Sequence, residues 1–311
     1  MRKSKGRPRT TSRAPGKRTS METSKTHVMA DGAAIYYAIS RTDRALGTIV
    51  LLHGMASNLT RWSEFVEHTV LKKKWDIVRL DLRGHGESMT RGRIGMKIWS
   101  NDLADLLDAE GCERAVLIGH SLGAHLALHF GARYPGRVRG MVLIDPVFPQ
   151  ALRGYRRWVA RLRPALSIAA AAVRTANLLG LRRRQLPRRD LRALDEQVRA
   201  DLLAAGDAEE FVRRYSSALA DIKFFPVSNY LQELSEMLRM LPEPATVPVP
   251  MLILLSRGLT YTDPEITEHL LDRSPNVERV ALQAYHWPLT ETPDQVRGVI
   301  ERWFERRLLK P

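Results

Sequence analysis

From residue 27 onward, short wholly apolar runs alternate with stretches whose apolar positions recur every three to four residues. His27–Ile39 reads as a β-hairpin that turns at Asp31-Gly32, because Asp-Gly between apolar runs is a strong turn signal. Thr48–His53, Asp76–Leu82, Arg114–Gly119, Val138–Ile144, Pro250–Leu255 and Val277–Leu282 are brief runs rich in Val, Ile and Leu. Runs of that kind form parallel strands covered on both faces. Helical periods lie between them, near Leu59–Leu71, Met96–Ala109, Leu122–Tyr134 (ended by Pro135-Gly136) and Pro293–Leu308. This order predicts an α/β fold, a mostly parallel sheet with helices on both faces.

The stretch from about Phe148 to Val247 breaks the rhythm. It shows no strand pattern and reads as several helices interrupted at Pro164, Gly180, Pro187, Gly206 and Pro226. About 100 residues is far too long for a loop, since compact connections run about 2–6 residues. The expected organisation is therefore a basic tail over 1–20, a core over 21–148 and 248–311, and an all-helical insertion over 149–247.

Charge changes this picture only locally. The 311 residues carry a net charge of +15, and eight basic residues without an acidic one fall in residues 1–20. That tail cannot bury apolar surface and is expected to be disordered. It lacks the apolar segment of a secretory signal and the interleaved aromatics of a nucleic-acid arm, so no nucleic-acid partner is expected. The longest apolar stretch, Leu166–Leu181, contains Arg174 and is shorter than the about 20 residues of a membrane span. Cys112 is the single cysteine, which excludes a disulfide framework and a cysteine-based zinc site and fits a cytoplasmic protein.

Candidate chemistry sits where the strands end. Gly119-His120-Ser121-Leu122-Gly123 joins a predicted strand to a predicted helix, the context a nucleophile elbow requires. Small residues at 119 and 123 let the chain turn tightly and lift the Ser121 hydroxyl off the sheet. The Leu122 N–H then lies at a helix N-terminus, where free donors and the helix dipole favour an oxyanion. Gly54 in His53-Gly54-Met55 lets the first parallel strand turn inward, which offers the Met55 N–H as a second donor. His286 follows the last strand, at the sheet edge where open α/β folds bind ligands. His125 and His129 have metal-chelating spacing but no third ligand, so neither a metal nor any other cofactor is expected.

Taken together, HG at 53–54, DLRGHGES at 81–88, GHSLG at 119–123 and a late His followed by E-x-P resemble the α/β-hydrolase superfamily. The resemblance covers about residues 27–148 and 249–308 and implies that the insertion is a cap, or lid. It implies Ser121 as nucleophile, His286 as general base and a carboxylate between them in chain order. Asp263, a few residues past the strand ending at Leu255, is the favoured acid; Asp145, at the end of the preceding strand, is the alternative. His53, Gly54, His120 and Trp287 are assigned to the substrate pocket; Trp62 and Trp99 could line it too, but ordinary core is the plainer reading for them, since only position 287 lies beside His286. Asp81 and Arg83 are expected to hold their own loop. A serine at 121 excludes the aspartate-nucleophile chemistry of the superfamily's dehalogenases and epoxide hydrolases.

The expected activity is hydrolysis of a small-molecule carboxylic ester, lipid or long-acyl substrates included, through an acyl-enzyme. Thioester, lactone or carbon–carbon hydrolysis stays open, as does a non-catalytic small-molecule receptor. Residues 151–189 hold eleven Arg and no Asp, Glu or Lys, interleaved with Tyr155, Trp158 and Val159. The favoured reading is a solvated cap whose apolar face covers the site, as every cap needs such a face. Peripheral contact with an anionic membrane is the alternative that this composition also suits.

Overall fold

The computed structural model describes residues 22–152, 154–205, 217–258 and 262–309. The predicted tail over 1–20 and the break at Gly206 lie outside them. Eight strands form one sheet: β1 Glu22–Val28, β2 Ala34–Ser40, β3 Thr48–Leu52, β4 Asp76–Leu80, β5 Ala115–His120, β6 Val138–Ile144, β7 Met251–Ser256 and β8 Val277–Leu282. Their spatial order is β1-β2-β4-β3-β5-β6-β7-β8. The β1–β2 hairpin is antiparallel and joins β4 antiparallel, while β4, β3, β5, β6, β7 and β8 run parallel.

Alternation along the central strands feeds two apolar layers. Val50, Leu52 and Leu117 point to one face, with Trp99, Leu103, Leu126 and Phe130. Ile49, Leu51, Val116 and Ile118 point to the other, with Trp62, Phe65, Trp303 and Phe304. Each such side chain contributes about 1.5–3 kcal/mol by leaving water. Trp62 and Trp99 therefore belong to the core, the plainer of the two readings their sequence positions allowed.

Most predicted helices form: α2 Met96–Ala109, α3 Leu122–Arg133 and α11 Pro293–Arg307. The stretch expected as one helix over Leu59–Leu71 is broken. Only Ser63–His68 (α1) is α-helical, between two 3₁₀ turns. Thr69 is extended there, and its hydroxyl accepts from the Leu71 N–H, which restarts the chain. Among the described residues, β6 and β7 are joined by helices alone: α4 Tyr155–Arg161, α5 Arg163–Leu178, α6 Leu191–Ala205, α7 Ala218–Phe224 and α8 Val227–Met237. Pro164 opens α5 in its first turn instead of breaking it, since a missing N–H costs nothing there. Two further helices were not anticipated, α9 Pro264–Asp272 and α10 Pro288–Glu291.

Candidate active site

Ser121 occupies the single residue between β5 and α3, with φ 50° and ψ −111°. A non-glycine residue at positive φ is strained, and this one is over-determined by its neighbours. Its N–H donates to the Ile144 carbonyl at 2.9 Å, and its carbonyl accepts from Ala124 and His125 at 3.0 and 3.1 Å. A methyl at Gly119 would overlap the Gly123 carbonyl, and one at Gly123 would overlap the Leu52 carbonyl. The two glycines are thus the steric condition for the turn.

His286 reaches this serine from the loop after β8. Its Nε2 lies 3.2 Å from Ser121 Oγ, and its Nδ1 lies 2.6 Å from Asp145 Oδ2. The loop is held by Glu291, whose carboxylate accepts from the Tyr285 N–H at 2.8 Å and the Trp287 N–H at 3.0 Å. Asp145 stands at the end of β6 with φ 49°, and its second oxygen accepts from the Ser256 N–H at 2.9 Å. Burial pushes the Asp145 carboxyl up, but the His286 imidazole and the Ser256 N–H outweigh it and leave its pKa below the ordinary value.

This corrects the expectation for Asp263. Asp263 is the N-cap of α9, where its Oδ1 accepts from the Glu265 and Ile266 N–H groups at 3.0 and 3.3 Å. The carboxylate on His286 Nδ1 is Asp145.

A cavity of about 350 Å³ opens over Ser121. Gly54, Met55, His120, His286 and Trp287 line it on the core side, and Leu152, Val159, Tyr230, Leu234, Met237 and Leu238 on the other. The last four come from along α8 and the residue after it, a contribution sequence reading missed. Leu122 N–H is the first of the unpaired donors at the start of α3. Met55 N–H meets no protein acceptor among the described residues.

His120 Nε2–H donates to the His286 carbonyl at 2.9 Å. Burial first, then the nearby His286, push its pKa down to about 3, so the ring is a neutral wall element. His53 departs from the pocket assignment. It is fully buried, its Nδ1–H donates to the Gly54 carbonyl at 2.8 Å, and its Nε2 accepts from the Leu82 N–H at 3.1 Å. It pins the loop from behind because both ring nitrogens are committed there. Asp81 and Arg83 hold the 81–88 loop as expected. Asp81 accepts from the Leu59 and Glu87 N–H groups at 2.7 and 2.8 Å, and Arg83 pairs with Asp31 and Asp102. No cluster able to hold a metal occurs among the described residues.

Helix α8 buries a polar face. Asn229, Gln232, Glu233 and Glu236, spaced i, i+3, i+4, i+7, are all buried. Asn229 Nδ2 donates to the Gly84 and Thr90 carbonyls at 3.0 and 2.6 Å, while Gln232 and Glu236 accept from the Ile94 and Met96 N–H groups at 3.1 and 3.3 Å. Glu233 is ion-paired to His85 Nε2, and its other oxygen accepts from the N–H of Ala56 at 3.0 Å. Ala56 has φ 47° and follows Met55, so the helix anchors the strained loop at the cavity.

Glu233→Gln keeps an acceptor for Ala56 and removes the charge. It should cost about 3 kcal/mol near about pH 6, as broken buried pairs do. Burial disfavours the His85 imidazolium, but Glu233 overrides it and holds the pKa above its ordinary value. The pair's contribution is thus complete below the unfolded value of about 6.5 and is lost as pH rises through the folded one. Urea unfolding is expected to show a deficit that shrinks toward alkaline pH.

The α/β-hydrolase fold family profile matches residues 47–293, and the chain belongs to that family. It is 29% identical over 130 residues to epoxide hydrolase 3 of Xenopus tropicalis, covering 41% of this chain and 35% of that one. Over 109 residues it is 29% identical to a mouse sn-1-specific diacylglycerol lipase, covering 35% and 36%. The chain spans about a third of the length of the curated relatives it matches. A hydrolase structure from Pseudomonas aeruginosa superposes with a TM-score of 0.65 at 20% identity, covering 94% of this chain and 99% of the other.

Proposed function

We propose that this protein is a serine hydrolase that cleaves carboxylic esters through an acyl-enzyme, with Ser121, His286 and Asp145 as its triad. The observation that carries this reading is the continuous contact from Asp145 through His286 to Ser121, at 2.6 and 3.2 Å. Ser121 Oγ attacks the acyl carbonyl and passes its proton to His286 Nε2; Asp145 steadies the imidazolium through Nδ1–H. The N–H groups of Met55 and Leu122 receive the oxyanion. Collapse returns the proton to the departing alcohol, and water, deprotonated by the same imidazole, releases the acid. No cofactor enters these steps.

The hydroxyl nucleophile favours an acyl substrate over an epoxide. Attack of Ser121 on an epoxide carbon would leave an ether, which water cannot cleave under these conditions. Attack on a carbonyl leaves an ester, which it can. The helices between β6 and β7 act as a lid whose Tyr230, Leu234 and Met237 side chains suit an apolar acyl group.

A panel of p-nitrophenyl esters of graded acyl length tests the reading. Turnover is expected, with kcat/KM highest at an acyl length the cavity accommodates, together with stoichiometric fluorophosphonate labelling of Ser121. Folded protein that neither turns over esters nor takes the label would favour a small-molecule receptor instead.

A further inference from the structure

Helix α5 is mounted with its apolar side outward. Its inner face, against α8, is polar around the buried Ala170. Arg163 Nε donates to the Ser235 carbonyl at 3.1 Å, and the Ser167 and Ser235 hydroxyls lie 3.0 Å apart. Farther along, Arg174 Nη1 donates to Gln232 Oε1 at 3.1 Å, and Asn177 Nδ2 to Ser228 Oγ at 3.3 Å. The opposite side, through Leu162, Ala165, Ile168, Ala172 and Leu179, faces water. Exposure is 70% at Ile168, 87% at Leu178 and 66% at Trp158 on α4. Amphipathic helices of water-facing domains are oriented the other way round, and a contiguous apolar surface of this kind marks an interaction site.

The charge around this stripe selects the partner. Residues 151–189 hold eleven arginines and no acidic residue or lysine. Arg163, Arg188 and Arg189 pair with Glu236, Glu87 and Asp221, and Arg174 and Arg183 turn to protein acceptors, so the charge the described residues offer outward is that of Arg161, Arg182 and Arg184. Arg161 stacks over the Trp158 ring, 4.3 Å from its centre, and Arg182 and Arg184 are exposed just beyond the far end of α5. A second copy meeting this face through a two-fold axis would set the arginines against their own images. An apolar stripe with basic flanks instead matches an anionic bilayer, with aliphatic groups among the acyl chains and guanidinium groups at the phosphates. The described helices include none long and apolar enough to cross a membrane.

We infer that α4 and α5 form a membrane-docking face that lies in the headgroup region of an anionic bilayer. Val159 of α4 and Leu152 just before it line the cavity over Ser121, so docking brings the cavity to the lipid surface. The inference is independent of the proposed catalysis, because Ser121→Ala protein is expected to bind vesicles as well as the unaltered chain.

The test is co-sedimentation of the full chain with phosphatidylcholine vesicles, with and without phosphatidylglycerol, at low salt. Binding is expected only with the anionic lipid, and brominated lipid should quench a tryptophan signal that Trp158→Phe removes. Ile168→Ser/Leu178→Ser/Leu179→Ser should weaken partition at least about tenfold. These side chains are exposed, so the fold persists, as near-UV circular dichroism would verify. Arg182→Gln/Arg184→Gln should weaken it in a salt-dependent way. Three results overturn the inference. One is no binding, and another is equal binding by the triple serine variant, which would assign the affinity to the basic residues 1–20. The third is a dimer that the triple variant dissolves, which would make the partner a second copy.

Discussion

Ser121→Ala should lose about 10⁴–10⁶ in kcat on any ester the protein turns over, the usual effect of deleting a nucleophile of this kind. The substitution removes the Ser121 hydroxyl from His286 Nε2 and leaves the oxyanion donors and the cavity in place. It should leave stability nearly unchanged, because alanine retains the Cβ that makes φ 50° unfavourable. Ser121→Gly separates the two effects. It abolishes turnover equally, yet it relieves the backbone strain and should raise stability by about 1 kcal/mol. Single-turnover kinetics and thermal melts on both variants read this out. A Ser121→Gly protein less stable than Ser121→Ala would show that the elbow is not strained in the way its dihedral angles indicate.

Parts of the molecule that obey one simple rule were legible in the sequence. The parallel strands are buried on both faces, so Thr48–Leu52 and Ala115–His120 read as unbroken apolar runs. Glycines 119 and 123 reflect sterics within a few residues, and so the elbow was legible too. Helix α8 was not, because a polar stripe at helical spacing looks the same whether it faces water or a loop with unpaired N–H groups. What decides is the chain at 84–96 and at 56, more than 130 residues earlier. His53 was misassigned for a related reason, since a histidine beside the Gly54-Met55 turn gives no sign of which way its ring turns. The triad acid is different, because a usable signal was present. Asp145 and Asp263 each follow a strand and precede a proline, but only Asp263 is followed by Pro264-Glu265. Asp, then Pro, then Glu is the signature of a helix N-terminus, and that is the role the structure gives it.

Asp145→Asn should lose about 10⁴ in kcat at neutral pH, while Asp263→Asn should stay close to wild type. The first expectation rests on hydrogen-bond direction. The Ser256 N–H requires an acceptor at 2.9 Å, so the amide oxygen of an asparagine at 145 is fixed there. Its NH₂ is then aimed at His286 Nδ1, which must accept. The imidazole is left with its proton on Nε2, facing Ser121, and cannot take the serine proton. The fold should survive, since asparagine tolerates a positive φ better than most residues. Stability carries a second signature. The Asp145 carboxyl is held below its ordinary pKa, so its contribution is present above the unfolded value and is lost as pH falls through the folded one. The stability gap between wild type and Asp145→Asn should therefore narrow in acid. At 263 the exchange keeps an N-cap, because asparagine accepts from N2 and N3 as well as aspartate does. Asp263→Ala, which removes the cap, should cost about 1 kcal/mol with kcat/KM unchanged. Ester kinetics and thermal melts on the three variants decide the matter. An active Asp145→Asn beside an inactive Asp263→Asn would return the acid to position 263.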